Sequence, residues 1–96
     1  MVTQINDHKL EERVLEAVNP VCITFFAYAS DPCKNLMPQL ETVEEQFKDK
    51  MEFYKINIIE NPKTTDEFKV NAVPTMIIYR DGSEIRDMME CTAARH

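Results

Sequence analysis

Three cysteines and two histidines carry the most reactive side chains of this chain. A cysteine thiolate attacks disulfides, forms mixed disulfides and ligates metals, so Cys22, Cys33 and Cys91 are the first residues to weigh. Their settings differ. Cys22 falls inside an apolar run, where a cysteine serves as a small hydrophobe. Cys91 follows the last predicted strand and reads as an incidental, exposed thiol. Cys33 lies just inside a predicted helix. An odd cysteine count excludes a complete disulfide framework. The cysteines and histidines lack close ligand spacing, so no metal site and no cofactor are expected. His8 and His96 lie near opposite ends of the sequence, so no base is placed for a serine nucleophile.

The chain that must position these groups has 96 residues, 44% hydrophobic and 29% charged, with a formal net charge of −6. That length predicts one domain over residues 1–96. The negative balance disfavours nucleic acid or an anionic membrane as a partner, because both require a basic face. The longest nearly apolar run, Val21 to Ala29, is interrupted by Thr24 and is far short of the ~20 residues a spanning helix needs. MVTQINDHKLEER has no apolar core for a secretory signal. A cytoplasmic protein with mostly free thiols is the expectation. The single glycine leaves few places for positive-φ backbone.

Five prolines (Pro20, Pro32, Pro38, Pro62 and Pro74) punctuate the elements. Val2 to Ile5 predicts a short strand. Asn6 or Asp7 caps a helix whose Ile5 and Leu10 have the spacing of a hydrophobic staple. Leu10, Val14, Ala17 and Val18 recur at helical spacing, and Asn19-Pro20 ends that helix. Val21 to Tyr28 predicts a central strand, apolar on both faces. Asp31 and Pro32 open a second helix with an apolar stripe of Leu36, Leu40, Val43 and Phe47, kinked at Pro38. Glu41, Glu44, Glu45 and Asp49 read as its solvated surface. Met51 to Ile58 predicts a strand, Thr64 to Phe68 a short helix, and Val73 to Tyr79 a strand. Asp81-Gly82 predicts a hairpin turn and Glu84 to Met89 the return strand. Of Met88 and Met89, in-and-out alternation would bury one. Thr92 to His96 predicts one helical turn. Strand–helix alternation implies parallel pairing, and the final hairpin adds an antiparallel edge.

ITFFAYASDPCKNLMPQLE, YKINIIENP, NAVPT and IIYRDG, in that order and spacing, resemble the thioredoxin family over roughly Val2 to Met89. The resemblance implies an α/β thioredoxin fold: a mixed central sheet flanked by helices, with the C-terminal helix truncated or absent. It implies thiol–disulfide exchange as the family chemistry. In that chemistry a thiolate at a helix N-terminus attacks a disulfide, and a second cysteine three residues on resolves the mixed disulfide.

Carried onto this chain, the resemblance puts Ser30 at the attacking-cysteine position and Cys33 at the resolving position. Ala29 replaces the usual tryptophan and Asp31 the usual glycine. Thr24 stands where the family holds a buried aspartate, and Phe26 where a second tryptophan is common. A hydroxyl forms no disulfide, so a dithiol cycle cannot run through Ser30 and Cys33. Asp31 adds negative charge that opposes a Cys33 thiolate. Cys33 is expected to be less exposed and less reactive than an attacking cysteine. Ser30 is open to three readings: natural loss of the dithiol mechanism, an engineered Cys→Ser change, or a one-thiol variant acting through Cys33 with glutathione or another thiol reductant. Disagreement at Ala29, Asp31 and Thr24 together favours natural divergence.

The resemblance also implies a cis peptide before Pro74, beside the motif. The family pairs the backbone of the preceding residue, here Val73, with an extended substrate segment. Ala29, Asp31, Pro32, Val73, Pro74 and Thr75 are then the expected groove for a protein or peptide partner. A non-catalytic binding module using that groove is the alternative to one-thiol exchange. A shortened C-terminal helix would leave part of a sheet face uncovered, and self-association through that face is a further expectation. So is the reading that the chain is part of a longer one.

Overall fold

In the computed structural model, residues 1–80 and 83–87 are described. Their elements run β1 (Thr3–Ile5), α1 (Asp7–Glu16), β2 (Val21–Phe26), α2 (Asp31–Phe47), β3 (Glu52–Asn57), α3 (Pro62–Glu67), β4 (Thr75–Arg80) and β5 (Ser83–Asp87). The Asp81-Gly82 turn, Met88, Met89, Cys91 and the turn expected at Thr92 to His96 lie outside the described residues.

The five strands form one sheet in the order β1-β3-β2-β4-β5. β3 pairs in parallel with both β1 and β2, while β4 is antiparallel to β2 and to β5. β2 is thus central. All six of its residues are buried, and this is why Val21 to Phe26 is apolar on both faces. Its alternating side chains supply two cores. Val21, Ile23 and Phe25 pack with Leu10 of α1, Ile56 and Val70 on one face. Cys22 packs with Leu40 of α2, Phe53 and Met76 on the other. The sheet is therefore a filled layer between helices on both sides.

Local signals set the helix starts. The Asn6 side chain accepts from the Lys9 N–H at 3.1 Å, as an N-cap should. Asp7 then ties α1 to α3: its N–H donates to Asn61 Oδ1 at 2.8 Å, and its Oδ1 accepts from the Thr64 N–H at 2.9 Å. Asn57, buried at the end of β3, accepts from the Ile59 and Glu60 N–H groups and turns the chain toward α3. On β3 the Tyr54 hydroxyl donates to Glu52 Oε1 at 2.6 Å. Burial, reinforced by that bond and by the Glu52 charge, pushes the Tyr54 hydroxyl up to about 12.

Three expectations need correction. The α1 helix stops at Glu16, with Ala17 already extended. Val18 therefore leaves the helical stripe and is 94% exposed. On α2, Leu36 and Leu40 are buried as the stripe requires, but Val43 and Phe47 are exposed. Glu44, assigned to the solvated surface, is only 8% exposed. Its carboxylate accepts from the N-terminal ammonium of Met1 at 2.7 Å, and Glu41 accepts from the Val2 N–H at 3.0 Å. The flank of α2 that carries Glu41 and Glu44 is thus closed by Met1 and Val2.

Candidate functional site

The parallel strands β2 and β3 end at the same level, where the Ile58 N–H donates to the Phe26 carbonyl at 3.0 Å. β4 begins at that same end, because Phe25 pairs with Thr75. The loop 27–30, which follows β2, and the segment Val73-Pro74, which precedes β4, therefore emerge together at one end of the sheet. The fold brings the two halves of the expected groove to a common edge.

Ser30 is the N-cap of α2. It is extended (φ −84°, ψ 119°), and its Oγ accepts from the Cys33 N–H at 3.3 Å. This satisfies one backbone donor that the helix start would otherwise leave unpaired, a contribution of about 1 kcal/mol when serine caps a helix. The Ser30 hydroxyl oxygen is thus held against the helix start by the backbone of the residue whose sulfur it would need to bond in a dithiol. Asp31 and Pro32 follow in the first turn, both exposed, and Lys34 Nζ lies 3.8 Å from Asp31 Oδ1 across open solvent. A pair so exposed contributes little.

Cys33 is 2% exposed, so the one sulfur of the motif is turned into the protein. Cys22 is likewise buried, and neither cysteine forms a disulfide. Thr24, on the central strand, is fully buried, and its Oγ1 has no hydrogen-bond partner among the described residues. Thr24 pairs across the sheet with Lys55 of β3 and Met76 of β4.

On the other side, the Val73–Pro74 peptide is cis. Pro74 and Thr75 are buried and Val73 is half-buried. The Thr75 hydroxyl donates to the Ala72 carbonyl at 2.6 Å and pins the turn that enters β4. Ala29 is exposed at the rim. Among the described residues no group of His, Cys, Asp and Glu is arranged to hold a metal ion. No described helix is long and apolar enough to cross a membrane.

The sequence reading passed over two residues at this edge. Tyr28, counted there as the end of a strand, lies beyond β2 and is 62% exposed. Ile59, just beyond β3, is 74% exposed. The only signal was negative: an aromatic and a branched apolar side chain stand past the positions that the sheet can bury.

Comparison with known proteins agrees with this geometry. The family model Thioredoxin matches residues 1–96. The chain is 34% identical over 84 residues to thioredoxin of Rickettsia prowazekii, covering 88% of this chain and 80% of that one. It is 39% identical over 79 residues to thioredoxin of Rhodospirillum rubrum, covering 82% and 76%. The solved structure of a chloroplastic thioredoxin z matches with a TM-score of 0.83 at 25% identity, covering 97% of this chain and 92% of that one. By sequence, fold and the placement of its motif, the chain belongs to the thioredoxin family of thiol–disulfide oxidoreductases.

Proposed function

We propose that this thioredoxin-family protein does not run a dithiol cycle and instead holds an extended segment of a protein partner. The groove is formed by Ala29, Asp31 and Pro32 on one side and Val73, Pro74 and Thr75 on the other. One observation carries the reading: the only sulfur of the motif, on Cys33, is 2% exposed, while the half-buried position at the helix start is filled by a serine that caps the helix. A thiol that solvent barely reaches is a poor nucleophile toward a protein disulfide, because attack needs in-line access to sulfur. Backbone pairing with an extended segment needs no thiol. Natural divergence of the motif is the reading of Ser30 that fits, since Ala29, Asp31 and Thr24 differ from the family pattern with it.

A second reading, one-thiol exchange through Cys33, draws on its place in the first turn of α2, where helix N-terminal donors favour a thiolate. Exposure to oxidised glutathione across pH, with peptide mass mapping, separates the two. The binding reading expects Cys33 to stay unmodified in the folded protein and to react only on unfolding. Rapid formation of a Cys33–glutathione adduct near neutral pH would overturn it in favour of one-thiol exchange.

A further inference from the structure

α1 and α3 lie side by side on the face of the sheet that carries Val21, Ile23 and Phe25. Asp7 clasps the two helices through Asn61 Oδ1 and the Thr64 N–H. Beside the clasp lies a cleft of about 260 Å³. Its apolar lining comes from Leu10 and Val14 of α1, from Phe68 at the end of α3 and from Tyr79 of β4. The two rings are set in advance. Phe68 meets Tyr79 edge-on and Phe25 at a tilt, with centroids 5.6 Å apart in each pair. The cleft has no residue in common with the groove of Ala29 and Val73.

Size limits the occupant. An apolar cavity of about 150 Å³ holds a benzene molecule. This cleft therefore has room for a single aromatic ring that carries a short chain. Charge narrows the choice. Asp7, Lys63 and Glu67 also line the cleft. Lys63 and Glu67 are both exposed and stand one turn apart on α3, so their opposite charges largely offset each other. Asp7 is the side-chain charge left without a cation. It is half-buried, its Oδ1 accepts from the Thr64 N–H, and it makes no ion pair among the described residues. A carboxylate partly withdrawn from water beside an apolar wall is matched by an ammonium group, which gives it a charge-assisted hydrogen bond. An anionic ligand would instead add to a chain that already carries −6.

We propose that this cleft is a binding site for a small arylalkylamine. The aromatic ring lies among Leu10, Val14, Phe68 and Tyr79, and the protonated amine meets the Asp7 carboxylate. Walls fixed in advance lose little conformational freedom when covered, so a ligand of one ring suffices to fill them. The site is separate from the groove and does not depend on the binding reading above.

The test titrates the full-length protein with three ring compounds of nearly equal size, 2-phenylethylamine, 2-phenylethanol and phenylacetate, while following backbone amide resonances. The amine is expected to shift the amides of Leu10, Val14, Thr64 and Tyr79 saturably and to leave those of Ala29 and Val73 in place. It should bind at least about tenfold more tightly than phenylacetate, with 2-phenylethanol between them. Asp7→Asn keeps an oxygen that can accept from the Thr64 N–H and removes the charge. It should weaken the amine roughly tenfold and 2-phenylethanol by no more than about twofold, a difference that loss of the clasp alone would not produce. The comparison of the three compounds on the unsubstituted chain decides the charge even where the variant fails to fold. An amine that shifts no amide of the cleft, or shifts the groove amides instead, overturns the site. Phenylacetate binding as tightly as the amine, or an amine that binds Asp7→Asn as well as the unsubstituted chain, overturns the role of Asp7 and the amine class with it.

Discussion

At the scale of single residues, Ser30 and Thr24 show two fates of a hydroxyl in this fold. Ser30 has a side chain of the right length to accept from the Cys33 N–H, so the helix start is satisfied. Thr24 is the opposite case, a polar atom in the core with no partner among the described residues. A buried hydroxyl without a hydrogen bond has lost its water and gained nothing in return. Thr24→Val keeps the shape and removes that atom, so it should stabilise the fold by about 1–2 kcal/mol, read as a higher urea midpoint at unchanged m-value. A midpoint that stays put or falls would mean that the hydroxyl has a partner in solution. Tyr54 gives a pH signature. Its folded hydroxyl titrates at about 12, above its usual value of 10.0, because it is buried against Glu52. The unfolded chain loses that proton first. Stability attributable to Tyr54 is therefore fully present below pH 10 and is lost as pH rises from about 10 toward 12. Tyr54→Phe should flatten that alkaline decline, measured by urea unfolding at a series of pH values. An equally steep decline in the variant would assign the loss to other groups.

At the scale of elements, the strongest local mismatch lies at the end of α3. Phe68 closes that helix, and Lys69 follows with φ 55°, the left-handed conformation that a side chain with a Cβ disfavours. The side chain of Lys69 is exposed and makes no ion pair among the described residues. Lys69→Gly should therefore raise stability by about 1 kcal/mol, the cost of the left-handed residue exceeding the entropy glycine adds to the unfolded chain. A loss of stability in thermal unfolding would show that the lysine stem covers apolar surface at that turn. The sequence made this element legible at its start, through Asn61-Pro62, but not at its end, where neither glycine nor asparagine marks the turn. The same limit applies to α2. Its start was readable from Asp31-Pro32 and its upper stripe from Leu36 and Leu40. The periodicity of one helix does not show how far its neighbours extend, so Val43 and Phe47 were assigned to a core that does not reach them. Glu44 was assigned to solvent because the partner that buries it, Met1, is forty-three positions away. Contacts at that separation leave no trace in local pattern. Tyr28 was missed for a related reason: an apolar run states that a strand exists but not where its pairing stops.

At the scale of the whole molecule, the fold places a serine at the start of α2, where the proposed reading has the first sulfur of a dithiol replaced. The sheet order, the loop after β2 and the segment before β4 still converge on one edge, and α2 still begins there. If that scaffold is intact, restoring the atom should restore the bond. Ser30 and Cys33 are three apart across the first turn of α2, a spacing that brings α-carbons within the range a disulfide spans. The Ser30 Oγ already lies 3.3 Å from the Cys33 nitrogen, so a sulfur in its place starts on the correct side of the helix. Treated with oxidised glutathione, the thiol introduced by Ser30→Cys should attack it and release one reduced glutathione, and Cys33 should then displace the second to close an internal disulfide, seen as the loss of two hydrogens by intact mass, mapped to the motif peptide and reversed by dithiothreitol. The burial of Cys33 does not oppose this, because the oxidant meets residue 30 and only the intramolecular second step involves Cys33. Efficient turnover on protein disulfides is a separate matter. Reduction of the pair must deliver a proton in the interior, and Thr24, which the family resemblance sets at the position of a buried aspartate, carries a hydroxyl that does not titrate near neutral pH. The variant should thus form its disulfide readily and turn over slowly. Failure to form the bond, with both thiols free on denaturation, would show that α2 begins differently from the arrangement described and would undo the placement of the groove with it.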